Sequence, residues 1–198
     1  MNILWITELF PPSMGGVQQY LYNTVQNTAC CRSIIVTKQL AGTSSQEVDD
    51  KIRYAGNRIY RLPDWPSDLN INVVYKSPLP FLKLCGRIFN ITRSEAVSLI
   101  VIGHVPFAFL LLLPFLKLCT KLPVALIFHG EEIPVIPMKS NNIRRRFIKM
   151  ADFYVCNSRF TEDILTIFCG RLSGTFIANP GIEDKFFQEV DCTIDWQA

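Results

Sequence analysis

The stretch that decides the fold is MNILWITELFPPSMGGVQQYLYNTV, residues 1–25. It begins with the apolar run Asn2–Thr7, which is typical of a strand that is covered on both faces of its sheet. A turn containing Gly15 and Gly16 follows, and Val17–Ala29 then has the spacing of an amphipathic helix. A strand, a glycine turn and a helix in this order indicate the first unit of a parallel α/β sheet.

The same alternation continues along the chain. The polar stretch 41–50 is predicted to be a loop, and Arg53–Leu62 to be a strand or hairpin. Together the elements predict an α/β fold, a Rossmann-like doubly wound parallel sheet with helices on both faces, over residues 1–178. The other predicted strands are Ser33–Lys38, Leu99–Ile102, Pro123–Phe128, Phe153–Cys156 and Thr175–Ala178, and the other predicted helices are Pro78–Ile91, Phe107–Cys119, Ile143–Met150 and Arg159–Phe168.

The composition indicates a globular protein rather than a disordered or nucleic-acid-binding one. Hydrophobic residues make up 49% and charged residues 19% of the 198 residues, and the net charge is only +3. The seven cysteines follow neither zinc nor disulfide spacing. We therefore expect reduced thiols, no signal peptide and a cytoplasmic location.

One segment is apolar enough to require a test for a membrane span: VSLIVIGHVPFAFLLLLPFLKLC, residues 97–119. Gly103, His104, Pro106 and Pro114 divide it into pieces shorter than the ~20 residues that cross a bilayer. The pattern therefore favours a buried strand followed by a buried helix.

Ligands of open parallel sheets bind at the carboxyl ends of the strands. In this sequence those positions are Glu8–Gly16, Gly103–His104, His129–Glu132 and Asn157–Ser158. Glycines, histidines and acidic residues concentrate there. The sequence therefore predicts a site formed by these four loops.

Gly15 and Gly16 precede a predicted helix and allow two interpretations. One is a tight turn, because glycine adopts backbone conformations that other residues avoid. The other is a helix N-terminus that an anion or a sugar approaches closely. The pattern is neither the G-x-G-x-x-G motif of dinucleotide-binding proteins nor a Walker loop, so it disfavours a dehydrogenase.

His129 lies at the end of a buried strand, in VALIFHGEE (124–132). An imidazole there can hydrogen-bond a sugar hydroxyl or act as a base. The alternative is a structural histidine bonded to a backbone carbonyl. Because His104 is the only other histidine, and we expect it to pack structurally, the sequence predicts no metal site.

Two further segments also have a structural and a functional interpretation. Ser158 is a good N-cap residue for the helix that follows it, and that helix could also face the predicted site. The run 139–150 contains five cations. It is either a solvated helix face or a contact for an anionic membrane or a phosphorylated acceptor.

Four stretches, taken in order, resemble the N-terminal half of glycosyltransferase family 4, whose members have the two-domain GT-B fold. They are FPPSMGGVQQYLYNTV, IFHGEEI, ADFYVCNSRFTEDIL and FIANPGIEDKF. The resemblance implies that Gly15 and Gly16 form the loop against the donor and acceptor, and that His129 is the catalytic residue beside the transferred sugar. It also implies substrate contacts for Gly130 and Glu131, and for Ser158 at the start of a helix bordering the cleft.

The function that the resemblance implies is retaining transfer of a sugar from a nucleotide diphosphate sugar to a hydroxyl acceptor, without a metal or other cofactor. The acceptor would be a glycan, a polysaccharide or a lipid-linked precursor, with peripheral membrane contact by the apolar and basic segments. An alternative is a noncatalytic binding or regulatory module, or a split-enzyme subunit, with the same fold.

The resemblance also predicts the domain organisation. Residues 179–198 would be an interdomain linker and the start of a C-terminal donor domain that the sequence does not contain. The linker departs from the family pattern, since it has Pro180 where Asn is usual. Because the resemblance places most of the nucleotide-sugar site in the missing domain, we expect the chain to be inactive by itself.

Overall fold

The computed structural model describes residues 1–8, 10–28, 30–40, 45–66, 78–133 and 141–181. The strands are β1 (Asn2–Ile6), β2 (Arg32–Lys38), β3 (Arg58–Leu62), β4 (Leu99–Ile102), β5 (Val124–Phe128), β6 (Phe153–Cys156) and β7 (Thr175–Ile177). Within the described ranges they form one parallel sheet in the order β3-β2-β1-β4-β5-β6-β7. This arrangement confirms the predicted Rossmann-like fold.

Helices cover both faces of the sheet. They are α1 (Gly16–Gln26), α2 (Gln46–Tyr54), α3 (Pro78–Ser94), α4 (Phe107–Leu110), α5 (Leu112–Thr120), α6 (Asn141–Ile148) and α7 (Arg159–Cys169). Buried side chains of α1 and α2 pack on one face. Those of α3 to α7 form a larger core on the other face.

The first strand shows why its sequence is apolar without interruption. Leu4 and Ile6 point into the larger core, whereas Ile3 and Trp5 point into the smaller one. All four side chains are at most 6% exposed. A strand buried on both faces contributes about 2 kcal/mol for each large apolar side chain.

The prediction of a loop over 41–50 was wrong for its second half, because α2 begins at Gln46. The charged residues that make this segment polar form pairs on the helix surface. Lys51 Nζ, for example, lies 2.8 Å from Glu47 Oε1. The apolar side chain of Ile52 is fully buried. Val48 is partly buried against the same core, and Asp49 is 8% exposed with its Oδ1 2.7 Å from Arg61 Nη2. Such a sparse apolar pattern resembles a loop.

The hairpin alternative for Arg53–Leu62 was also wrong. Arg53 and Tyr54 complete α2, and only residues from Arg58 onward form a strand. That strand pairs in parallel with β2, with Ile35 opposite Ile59. A parallel neighbour requires a crossover connection, which α2 supplies.

The predicted helix over 107–119 is divided at Leu111 into α4 and α5. Pro114 lies in the first turn of α5, where its missing N–H cannot continue a helical bond to Leu110. Leu112, Leu113 and Leu116 are fully buried, which confirms a place in the core. Among the described helices, none has the length and apolar character that crossing a membrane requires.

Candidate functional site

A cleft of about 950 Å³ lies at the carboxyl edge of the sheet. The flank of α1 forms one wall, and residues 178–181 form the other. His129 and Asn157, which follow β5 and β6, also line it. The cleft adjoins the point between β1 and β4 where the strand order reverses, which is the usual ligand position in open α/β sheets.

The two glycines before α1 occupy different positions. Gly16 lines the cleft, and a Cβ built on it would meet no described residue within 4 Å apart from its chain neighbours and the backbone of its own helix. Gly15 is the N-cap residue, and the space beside it is filled by the Gln18 side chain. No side chain among the described residues caps α1, and its first turn has no acidic residue. The first N–H groups of α1 are therefore left without a capping side chain at the end of the helix where Gly16 lines the cleft.

His129 is held by two contacts. Its Nε2 lies 2.9 Å from the carbonyl oxygen of Gly103. Because a carbonyl only accepts, Nε2 carries the proton, and Nδ1 of the neutral ring is an acceptor. The Tyr20 ring meets the imidazole edge-on, with 5.2 Å between the centroids. The structural interpretation of His129 therefore holds for one nitrogen. The ring also lines the cleft, and its contact with a ligand stays a prediction.

The turn after His129 depends on Gly130 and Glu132. The His129 N–H donates to Glu132 Oε2 at 3.0 Å. Gly130 has φ +106, a conformation that side-chain-bearing residues rarely adopt, and it does not line the cleft. Glu131 lines the cleft with a side chain that is 72% exposed.

His104 lies beneath the site and not on the cleft surface. Its Nε2 is 3.8 Å from Glu132 Oε1, and its ring centroid is 6.5 Å from that of His129. Burial lowers the pKa of His104, an effect that the Glu132 charge partly offsets. Within the described part of the chain, His104 Nδ1 and Glu132 Oε1 are buried without a hydrogen-bond partner.

The loop after β6 presents Asn157 to the cleft and uses Ser158 as a cap. Asn157 Nδ2 donates to the His129 carbonyl at 3.3 Å, and its Oδ1 accepts from the Thr161 hydroxyl at 2.7 Å. Ser158 Oγ accepts from the Thr161 N–H at 3.2 Å and so caps α7. The sequence marked this strand end correctly but favoured Ser158 over Asn157 as the ligand contact.

Tyr20 is a site residue that the sequence analysis did not select. Its hydroxyl donates to the carbonyl of Ala178 at 3.0 Å, which joins α1 to the chain after β7. Burial raises the pKa of Tyr20, so the phenol stays a neutral donor. The helical pattern placed Tyr20 on the packed side of α1, but no local signal indicates that its partners are Ala178 and His129.

No group of three or more His, Cys, Asp or Glu side chains among the described residues could hold a metal ion. The cysteines at 30, 31, 85, 119, 156 and 169 are free thiols. The predicted linker is described only as far as Gly181, and residues 182–198 lie outside the described residues.

No family model matches the sequence, and no curated protein matches it. Solved structures do match in fold. Anabaena HepE in complex with UDP is 14% identical, with a TM-score of 0.64 over 94% of this chain and 46% of that chain. Sucrose-phosphate synthase from Thermosynechococcus elongatus is 12% identical, with a TM-score of 0.68 over 93% of this chain and 49% of the other.

The lipopolysaccharide outer core galactosyltransferase WaaB is also similar, with 11% identity and a TM-score of 0.58 over 92% of this chain and 46% of that one. This chain therefore spans about half the length of these proteins. At such identities the likeness shows the fold alone. Membership of glycosyltransferase family 4 stays a prediction, and what is established is a Rossmann-like fold that matches one half of each of these structures.

Proposed function

We propose that this chain is the N-terminal, acceptor-side half of a retaining glycosyltransferase. The intact enzyme transfers a sugar from a nucleotide diphosphate sugar to a hydroxyl of a glycan, a polysaccharide or a lipid-linked precursor. The observation that carries the proposal is the single cleft where the open N-terminus of α1, the His129 ring and residues 179–181 lie together. Solved structures of HepE with UDP and with UDP-glucose support it by their similar fold.

The N-terminus of α1 is the proposed contact for the donor. Its unpaired N–H groups and the helix dipole favour a negative charge, and the space above Gly16 lets a phosphate or sugar approach the backbone. The charge that develops on the leaving diphosphate would be stabilised here. This electrostatic role needs no nucleophile from the chain.

His129 is the proposed catalytic residue. Because its Nε2 proton is engaged by the Gly103 carbonyl, His129 accepts a hydrogen bond from a sugar hydroxyl through Nδ1. In the part of the chain that the structure describes, Nδ1 has no other partner. Gly130 shapes the turn, Glu131 accepts hydroxyl hydrogen bonds at the mouth of the cleft, and Ser158 holds α7 at the border.

The remaining donor contacts are proposed to lie in a C-terminal domain, to which residues 179–198 lead. The half-length match to the similar structures supports this division. We expect the 198-residue chain to lack turnover by itself, the intact enzyme to need no metal, and the location to be cytoplasmic. Peripheral membrane contact would use α6, where Ile143 is 51% exposed beside Arg144 and Arg146.

The proposal is tested by titrating the chain with UDP-glucose and GDP-mannose while backbone amide resonances are followed by NMR. We expect at least one donor to shift resonances of Gly16–Gln18 and Gly130, with no hydrolysis or transfer. His129→Ala should weaken that binding about fivefold, because one hydrogen bond contributes about 1 kcal/mol. Gln26→Ala, at a residue of α1 that borders α2 and does not line the cleft, is the control.

Three results would contradict parts of the proposal. Absence of any shift at millimolar donor concentrations would exclude the donor site. Turnover by the 198-residue chain would refute the need for a second domain. Donor binding without hydrolysis or transfer, even when a C-terminal donor domain is supplied, would favour the noncatalytic module. Full activity of the completed enzyme in EDTA is the result expected for metal-free transfer.

A further inference from the structure

The cleft has an unusual chemical composition. Five of its fourteen lining residues carry amide side chains, whereas the whole chain has eighteen Asn and Gln among 198 residues. No Lys or Arg occurs among the described residues that line it, and Glu131 is the one carboxylate there. The amide residues are Gln19, Asn23, Asn27, Asn157 and Asn179.

Three of these amides form a row along one flank of α1. Gln19, Asn23 and Asn27 are four residues apart, so they share a helix face over about 12 Å. Gln19 Nε2 donates to Asn23 Oδ1 at 2.7 Å, and Asn27 Nδ2 donates to the Asn23 carbonyl at 2.8 Å. These three residues are called the amide row below.

The hydrogen bonds within the amide row orient its side chains but leave some of their polar atoms available to a ligand. The Asn23 NH₂ group and the oxygens of Gln19 and Asn27 have no partner among the described residues. The row therefore offers both donors and acceptors, held in fixed directions. A ligand that both donates and accepts along its length matches this pattern.

We propose that the amide row binds an uncharged polyhydroxyl chain, a segment of a neutral glycan, as the acceptor of the proposed transfer. Hydroxyl groups donate and accept, as the amides do. A phosphorylated or carboxylated chain would need cations that the described lining lacks, and Glu131 would repel it. The inference rests on the proposed function and narrows its acceptor to one chemical class.

The position of the amide row fits this role. Gln19 and Tyr20 are adjacent on α1, and the Tyr20 ring contacts His129. A glycan along the row therefore ends beside the proposed catalytic residue. The diphosphate would lie at the α1 N-terminus beside Gly16, so the anionic and the neutral parts of the reaction occupy different parts of one helix.

The experiment is an NMR titration of the chain with four probes, with the side-chain amide resonances of Asn23 and Asn27 as the readout. Maltopentaose, cellopentaose and chitopentaose are neutral chains, and tetragalacturonate is a charged chain of comparable size. We expect at least one neutral probe to shift these resonances saturably and tetragalacturonate to leave them unchanged.

The variants Asn23→Ala and Gln26→Ala form a matched pair on the same helix. Asn23→Ala removes the middle of the amide row and should weaken binding of the neutral probe about fivefold, as expected for one or two hydrogen bonds. Gln26 borders Tyr22 and α2 and does not line the cleft. Gln26→Ala should leave the affinity unchanged, and a urea melt of each variant confirms that it folds.

The inference is overturned if none of the neutral chains shifts the row, if tetragalacturonate binds there as well as they do, or if both variants weaken binding equally. These outcomes can be distinguished from a failure of the proposed glycosyltransferase function. Donor shifts at the α1 N-terminus without glycan shifts would leave the glycosyltransferase proposal standing and remove only the neutral acceptor.

Discussion

The buried ionisable groups at the two edges of the sheet differ in whether they have partners. At the amino edge, the Glu95 side chain is 3% exposed and pairs with two arginines. Arg58 Nη1 lies 2.6 Å from its Oε1 and Arg32 Nη1 3.4 Å from its Oε2, and the Tyr60 hydroxyl also donates to it. At the carboxyl edge, His104 Nδ1 and Glu132 Oε1 have no partner among the described residues.

The comparison distinguishes an ion-pair cluster of the fold from the surroundings of the candidate site. The amino edge also has a pocket, of about 420 Å³, lined by Arg32, Arg53 and Arg58. Those arginines are already paired, since Arg53 Nη1 lies 3.5 Å from Asp50 Oδ1. Buried polar groups are normally satisfied, and exceptions concentrate where ligands bind. The three arginines of the amino-edge pocket are therefore engaged in the fold. The cleft at the carboxyl edge, which has no Lys or Arg among its described lining residues, is the candidate site.

The largest expected effect is on the amino edge. Glu95→Gln removes the charge that Arg58 and Arg32 share and should lower the free energy of unfolding by about 2 kcal/mol, less than for a fully buried pair because Arg58 is half exposed. Glu131→Gln, on the exposed carboxylate of the cleft, should change it by less than about 0.5 kcal/mol. Urea unfolding measures the free energy of unfolding of both variants. Equal changes would contradict the difference between the two edges.

The next effect compares two glycines of the candidate site. Gly130→Ala should cost roughly 1 to 2 kcal/mol, because φ +106 strains any side-chain-bearing residue. Gly16→Ala should leave stability unchanged or raise it by up to about 1 kcal/mol, since the added methyl meets open space in a helix. If Gly16→Ala keeps the stability but weakens UDP-glucose binding, that glycine is required for ligand approach; unchanged binding would argue for a turn alone.

The smallest effect is a difference in acid sensitivity between the two edges. Burial lowers the pKa of His104 below 6.5, and the charge of His129 lowers it further. The charges of Glu132, Glu131 and Glu8 act in the opposite direction and raise it. Its stability contribution is complete above pH 6.5 and is lost as the pH falls through the folded pKa. The slope is at most about 1.4 kcal/mol per pH unit, the value for one proton.

Glu95 responds in a lower pH window. Burial alone would raise the pKa of Glu95, but the hydrogen bonds from Tyr60 and Arg58 and the charges of Arg58 and Arg32 hold it below 4.5. Its contribution is present above pH 4.5 and is lost as the pH falls through the folded pKa. Urea midpoints between pH 3 and 8 should show two steps; His104→Gln should remove the upper one and Glu95→Gln the lower one.

The sequence predicted a site at the carboxyl ends of the strands, where glycines, histidines and acidic residues concentrate. His129, Gly16 and Glu131 line the cleft, because a parallel sheet places its carboxyl ends together. That they contact a substrate stays a prediction. Tyr20, Asn23 and Asn157 were not selected as ligand contacts. Their role depends on which side of α1 faces residues 178–181, and a helical repeat defines faces without naming what lies opposite them.

What the sequence determined by itself is the order of the strands and of the helices other than α2, since apolar periodicity and glycine turns are local properties. What only the tertiary structure decided is shown by FLKLC, which occurs at both 81–85 and 115–119. In α3, Leu82 is 58% exposed and Cys85 is 2% exposed; in α5, the corresponding Leu116 is fully buried and Cys119 is exposed. The five residues form a helix in both places, but the neighbouring elements decide which face of that helix is covered.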